Sequence, residues 1–191
     1  MKNILIINGF PYEESFSWDI HAVYRKGALA ADHQVSEVFL KDLHFDLNLA
    51  YGYRQFPEPE PDILLAQDEI RKADHLVFIY PVWWGTYPAL MKGFIDRVFL
   101  PGFAFKFQPG REQEKYLAGK TARLLVNMDS SLWNHKYNMG SPGEMALKTA
   151  TLEFCGIYPV RISYFPEVRR ATSIMKQRWI DKVEKLGMKG L

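Results

Sequence analysis

The chain has 191 residues, 48% of them hydrophobic and 24% charged, which is enough to bury the core of one globular domain, expected to run over residues 1–191. A net charge of +2 without a basic block argues against a nucleic-acid partner, and the single cysteine, Cys155, excludes an internal disulfide and suits a reducing compartment. No apolar run approaches the ~18 residues of a membrane span, and Met1–Asn8 lacks the long apolar segment of a secretion signal, so a soluble cytoplasmic protein without membrane insertion is expected.

Ile4-Leu5-Ile6-Ile7 is a continuous apolar run, the pattern of a strand buried on both faces of a parallel sheet. The loop Asn8–Ser17 follows, and then a helix from about Trp18 to Ala31 with Ile20, Val23, Tyr24, Gly27 and Ala28 on one stripe and Ser15 or Ser17 as its cap. Val35–Leu40 reads as a second strand nearer the sheet edge. Lys41–Pro61 has no period, and Pro57, Pro59 and Pro61 break any helix there. A helix over Asp62–Lys72 leads to the third strand, His75–Tyr80.

That strand runs into the most distinctive stretch of the chain, Tyr80-Pro81-Val82-Trp83-Trp84-Gly85-Thr86-Tyr87-Pro88, which continues as an amphipathic helix to Phe99. Phe103, Phe105 and Phe107 alternate as an extended segment with one aromatic face. Thr121–Val126 is the fourth strand, Asn127–Pro142 a polar and aromatic loop, and Gly143–Cys155 a helix closed by Gly156. Val160–Phe165 is the fifth strand and Ser173–Leu186 the last helix.

Strands alternating with helices demand a parallel sheet covered on both faces. Five strands suit the α/β flavodoxin-like order 2-1-3-4-5, a three-layer sandwich whose ligands sit beyond the strand C-termini between strands 1 and 3. Three loops meet there: residues 8–17, 81–87 and 127–142. In the first, Ser15-Phe16-Ser17 opens a helix N-terminus, where unpaired N–H groups and the helix dipole make an anion site suited to a phosphate. Neither Gly-x-Gly-x-x-Gly nor Gly-x-x-x-x-Gly-Lys-Ser/Thr is present, so a dinucleotide or nucleoside-triphosphate fingerprint is absent. In the second, Pro81, Val82, Trp83, Trp84 and Gly85 combine a stacking wall with backbone groups, as an isoalloxazine requires; one tryptophan can equally be core. In the third, Asn127, Met128, Asp129 and Ser130 offer polar groups to the ring, and His135 and Tyr137 are candidate proton donors, although both residue types also occur as plain loop residues.

The run Pro81-x-x-Trp84-x-x-x-Pro88-Ala89-x-x-Lys92-Gly93-x-x-Asp96-Arg97-Val98-Phe99-x-x-Gly102-Phe103-Ala104 resembles the flavodoxin-fold NAD(P)H:quinone oxidoreductases of the DT-diaphorase type, a group that includes modulators of drug activity and ancillary proteins of potassium efflux. Ser15-Phe16-Ser17 resembles the family's Ser-Phe-Asn phosphate turn. Asn127-Met128-Asp129-Ser130 is similar to the Thr-Met-Asp-Thr of a bacterial subgroup and departs from the Thr-Thr-Gly-Gly of the DT-diaphorase branch; Phe10-Pro11 stands where many members have His-Pro.

The resemblance implies a homodimer binding FMN or FAD, which takes a hydride from NADH or NADPH and passes two electrons to a quinone-like acceptor by a ping-pong route. The same chemistry would serve a nitro- or azo-compound reductase, and a regulatory flavoprotein of a potassium-efflux system is the alternative of another class. Carried over by position, Ser15, Phe16 and Ser17 would hold phosphate, Pro81–Gly85 and Asn127–Ser130 would line the ring, and Phe105, Phe107 and Trp133 would face a substrate or dimer cleft.

Overall fold

The computed structural model describes every residue except Tyr53, Phe56, Pro57, Pro109 and Arg111, so the expected helix-breaking by Pro57 lies outside the described residues. The strands are β1 (Asn3–Asn8), β2 (Gln34–Phe39), β3 (His75–Pro81), the short β4 (Phe105–Lys106) and β5 (Glu114–Lys115), β6 (Thr121–Asn127) and β7 (Val160–Phe165). The helices are α1 (Phe16–Ala30), α2 (Pro61–Lys72), α3 (Ala89–Val98), α4 (Pro142–Leu147) and α5 (Ser173–Met188). Five parallel strands pair in the order β2-β1-β3-β6-β7, the flavodoxin-like arrangement expected from the sequence.

The continuous apolar runs follow from this architecture, because alternate side chains of one strand enter opposite layers. Ile4, Ile6, Val77, Ile79 and Leu125 pack under α1 and α5 with Ile20, Tyr24 and Val183. Leu5, Ile7, Phe78, Tyr80, Leu124 and Val126 pack on the other face with Ile63, Ile70, Met91 and Phe94 of α2 and α3. Each fully buried aliphatic or aromatic side chain contributes about 1.5–3 kcal/mol relative to exposure. α1 and α5 meet at two glycines: a Cβ on Gly27 would lie 2.2 Å from the Glu184 carbonyl oxygen, and one on Gly187 would lie 2.2 Å from that of Tyr24.

Arg97 is the largest side chain buried in the molecule, at 2% exposure. Its Nη1 donates to the Asp46 carbonyl oxygen at 2.6 Å and its Nη2 to Glu60 Oε2 at 2.6 Å, so the region ahead of α2 is clamped onto α3. Asp96, its neighbour in sequence, accepts from Lys92 one helical turn back, at 2.6 Å. The adjacent pair therefore serves two separate ion pairs.

Three elements differ from the sequence reading, the first being a π-helical turn, Asn134–Asn138, within the expected loop Asn127–Pro142. The helix expected over Gly143–Cys155 is α4 followed by a π-helical stretch, Lys148–Glu153, in which Thr151 Oγ1 donates to the Ala146 carbonyl oxygen five residues back. Gly156 still ends it, at φ +98°. The aromatic segment at Phe105 is one arm of a two-stranded antiparallel ribbon whose other arm, Glu114–Lys115, carries no apolar alternation to announce it.

Candidate functional site: a cleft at the switch point of the sheet

α1 and α3 lie on opposite faces of the sheet, so the loops after β1 and β3 diverge and leave a crevice between them. Strand register carries the ends to one level: Asn8 stands opposite Ile79, and Pro81 opposite Asn127. A cleft of about 470 Å³ opens there. One wall is the first loop, with Phe10, Tyr12, Glu14, Ser15 and Phe16; the other is Pro81 to Gly85. Asn127 to Ser130 and Met139 come from the third loop, and Val168 and Arg169 from the loop after β7.

The first wall carries the anion chemistry. Ser15 is the cap residue of α1, with extended backbone (φ −153°, ψ 157°), yet its hydroxyl caps nothing. Ser15 Oγ is buried and has no hydrogen-bond partner among the described residues. The Trp18 amide is taken by the Ser15 carbonyl oxygen, while the Phe16 and Ser17 amides precede any acceptor in the helix. An orphan hydroxyl and free amides at the positive end of a 15-residue helix fit an anionic group.

The other two residues of that turn behave differently from the sequence expectation. Ser17 is fully buried, and its hydroxyl donates to Asn127 Oδ1 at 3.0 Å. It therefore ties the first loop to the third and has no hydroxyl left for a ligand. The Phe16 side chain enters the core, edge-on to Phe165 at 5.9 Å and against Trp179 at 5.6 Å, so only its backbone can serve the cleft.

The second wall resolves the two tryptophans. Trp83 N–H donates to the Thr86 carbonyl oxygen at 2.7 Å and Thr86 N–H to that of Trp83 at 3.0 Å. Between them Trp84 (φ 51°) and Gly85 (φ 80°) both hold left-handed backbone, as in a type I′ turn. Trp83 is 44% exposed and sits edge-on to Phe10 at 6.2 Å, bridging the two walls. Trp84 is wholly exposed. A bulky side chain on a left-handed residue is rare, and such strain collects at ligand-binding turns. Met139 braces the turn from the third loop: a Cβ on Gly85 would lie 2.8 Å from its Cε.

Asp129 and Arg169 close the floor, with Asp129 Oδ2 accepting from Arg169 Nε at 2.9 Å and Oδ1 from the Arg169 amide at 3.1 Å. Val168 and Arg169 were missed from the sequence, although the topology could have found them, because β7 ends at the same level as β6 and its following loop must reach the crevice.

The proton-donor pair needs correction. His135 is fully buried, and its Nε2 bonds the Glu144 carboxylate at 2.9 and 3.0 Å. It braces the third loop from beneath and cannot reach a ligand. Tyr137 is three-quarters exposed and pairs with Trp133 at 6.0 Å, on a surface beside the cleft and outside its lining.

Phe105 and Phe107 also lie elsewhere. They join Phe99, Phe154 and Ile95 around a second, apolar cavity of about 350 Å³ that shares no residue with the first. Phe105 is buried against Phe154 at 5.0 Å, whereas Phe107 is 65% exposed. The orphan hydroxyl, the helix terminus and the strained aromatic turn all belong to the switch-point cleft, which makes it the functional candidate. Among the described residues, no group of three or more His, Cys, Asp or Glu side chains is placed to hold a metal ion, and no helix is long and apolar enough to cross a membrane.

Comparison with known proteins agrees with this architecture. The family model described as a flavodoxin-like fold matches residues 2–185. A Haemophilus influenzae protein named an uncharacterized NAD(P)H oxidoreductase is 31% identical over 139 residues, 69% of this chain and 68% of that protein. The ribosyldihydronicotinamide dehydrogenase (quinone) of Rattus norvegicus is 31% identical over 134 residues, 65% of this chain but 57% of its own length. The crystal structure of Smu.1420 from Streptococcus mutans UA159 superposes with a TM-score of 0.83 at 28% identity, covering 98% of this chain and 99% of that one. With the cleft at the switch point of a β2-β1-β3-β6-β7 sheet, the chain belongs to the flavodoxin-fold NAD(P)H:quinone oxidoreductase family.

Proposed function

We propose that this protein is a flavin-dependent NAD(P)H oxidoreductase that passes two electrons to a quinone-like acceptor. The observation that carries the reading is the buried, partnerless Ser15 hydroxyl at the N-terminus of α1, facing a cleft whose far wall is the Trp83-Trp84 turn. A flavin has a phosphate for the first and a flat, amphipathic ring for the second. Bound there, it supplies hydride acceptance from NAD(P)H and hydride donation to the acceptor.

The chain's own residues do the rest. Ser15 Oγ and the amides of Phe16 and Ser17 hold the phosphate, and the dipole of α1 stabilises its charge. Trp84 presents its indole to the solvent side of the cleft, where a ring is stacked and water is excluded. The amides of Trp84, Gly85, Asp129 and Ser130 have no protein acceptor among the described residues and suit the polar edge of the ring. Tyr137 lies two residues before Met139, which lines the cleft. Of the two candidate proton donors, Tyr137 alone has an exposed hydroxyl-bearing ring, since His135 is sealed beneath the loop.

FMN is the better-fitted form. The first wall has one anion site, Glu14 stands in the same wall, and the Arg169 guanidinium is already engaged by Asp129. A second phosphate would find little free positive charge. The apolar cavity at Phe105 and the exposed Phe107 support a homodimer that covers them.

The test is reconstitution of purified protein with FMN and with FAD, followed by single-turnover reduction with NADH or NADPH and reoxidation by a quinone or an azo dye. Ser15→Ala is expected to weaken FMN binding about tenfold, the worth of one hydrogen bond to a charged group. Equal binding by Ser15→Ala would remove the phosphate assignment.

A further inference from the structure

Behind the first loop lies a chain of polar groups, buried at Asn8 and His21, none of which lines the cleft. Asn8 ends β1 and is fully buried. Its Oδ1 accepts from the Phe10 amide at 3.0 Å. A backbone N–H can only donate, so the side-chain amide has one allowed orientation, and Nδ2 faces His21 Nδ1 at 3.3 Å. His21 Nδ1 must therefore be the acceptor. The ring proton sits on Nε2 and donates to Glu37 Oε1 of β2 at 2.6 Å. Glu37 Oε2 in turn accepts from Arg25 Nε at 2.8 Å. The ring of His21 lies near-parallel to Phe39, at 4.7 Å, and to Trp18, at 6.0 Å, and these two rings stack on each other. This fixes the tautomer of a histidine that is 3% exposed, and with it the entry geometry of the loop carrying Phe10 and Ser15.

We infer that His21 and Glu37 are positioning residues for the phosphate end of the cleft, acting through the Asn8 amide on the Phe10 backbone. The inference rests on the flavin reading of that cleft. Protonation of His21 at Nδ1 would set two donors against each other across 3.3 Å. Asn8 could answer only by turning its amide over, which would face its NH₂ group to the Phe10 amide and leave that buried donor unpaired. The loop can keep its shape only while His21 is neutral.

The surroundings favour the neutral form. Burial holds the His21 pKa below its ordinary value; the Glu37 carboxylate opposes this and the Arg25 guanidinium assists. β1 contributes the uncharged Asn8. Beyond these, the Lys41 ammonium lies 5.7 Å over the Trp18 ring and is paired with Glu13 and Asp42.

The variant that separates positioning from plain packing is Asn8→Asp. Its carboxylate still accepts from the Phe10 amide, but its second oxygen now wants a donor and so favours the doubly protonated His21. FMN dissociation constants, read by quenching of flavin fluorescence from pH 5 to 8, are the measurement. Free FMN titrates identically in both experiments, so the difference between the two profiles comes from the protein and is the readout. The wild-type protein is expected to lose affinity more steeply than Asn8→Asp as the pH falls, and His21→Phe to bind FMN about tenfold more weakly at pH 8 with no residual difference in profile from the phosphate alone.

Amide exchange of Phe10 in flavin-free protein gives a second readout, expected to speed up by about tenfold in His21→Phe if one buried hydrogen bond of the loop is lost. Superimposable pH profiles for wild type and Asn8→Asp, or unchanged Phe10 exchange in His21→Phe, would overturn the inference. A wild-type protein that binds no FMN would end the flavin reading instead, and Phe10 exchange would still decide whether His21 positions the loop.

Discussion

Trp84→Asn separates the two things a residue can do for a protein, because here they have opposite signs. Trp84 holds φ at +51° in the turn closed by Trp83 and Thr86, and its side chain is fully exposed. The left-handed backbone costs a non-glycine residue about 1–2 kcal/mol, and asparagine tolerates it far better. No buried apolar area is lost, since none is buried. The substitution is expected to stabilise the fold by about 1 kcal/mol, roughly 2–4 °C in Tm for a chain of this size. The same change removes an aromatic wall of the cleft, worth about 1–3 kcal/mol for a stacked ring. FMN should then bind about tenfold more weakly or worse, since each 1.4 kcal/mol is a factor of ten. Calorimetric Tm of the flavin-free protein and fluorescence titration with FMN read the two effects separately. A lower Tm would mean that Trp84 is packed in the fold; a raised Tm with unchanged FMN affinity would mean that the indole does not face the ring.

Two further predictions concern the scaffold. Arg97→Ala leaves Glu60 and the Asp46 carbonyl without their buried cation and should destabilise the protein by about 3–5 kcal/mol in urea unfolding; a loss under 1 kcal/mol would refute the clamp. His75 is buried at the start of β3, its Nδ1 on Thr121 Oγ1 at 2.6 Å, and burial together with Lys2, Arg123 and Arg161 lowers its pKa from 6.5 to about 3. Below 6.5 the unfolded chain takes up a proton that the folded one refuses, so this contribution is complete above that pH and drains as the pH falls toward 3. Stability should drop by about 2 kcal/mol between pH 7 and pH 5, with His21 adding in the same direction. His75→Val should flatten that slope, and a slope identical to wild type would refute the assignment.

The sheet was legible because its central strands are buried on both faces. Ile4–Ile7, Leu76–Tyr80 and Leu124–Val126 had to be apolar at every position, a signal that needs no partner to be read. The three loops at the switch point followed from strand order alone. Side-chain direction did not. His135 looks like a loop histidine until Glu144 arrives nine residues later to accept a hydrogen bond from its ring. Ser17 looks like a phosphate ligand until Asn127, distant in sequence, claims its hydroxyl. Both depend on pairs that only the fold creates. The Phe105 ribbon was read as extended from its alternation, whereas its partner Glu114–Lys115 carries no such pattern. The two tryptophans were recognisable as a platform, but their division of labour came from a backbone angle that no side-chain pattern encodes.

The measurement that bears most directly on the central claim is the visible absorption spectrum of the protein after incubation with FMN and removal of excess, followed anaerobically as NADH or NADPH is added. A retained yellow chromophore that bleaches on adding reduced nicotinamide, and recovers when a quinone is introduced, is the predicted result. A protein that passes through the column colourless with FMN and with FAD alike, or a bound flavin that neither NADH nor NADPH reduces, would contradict it.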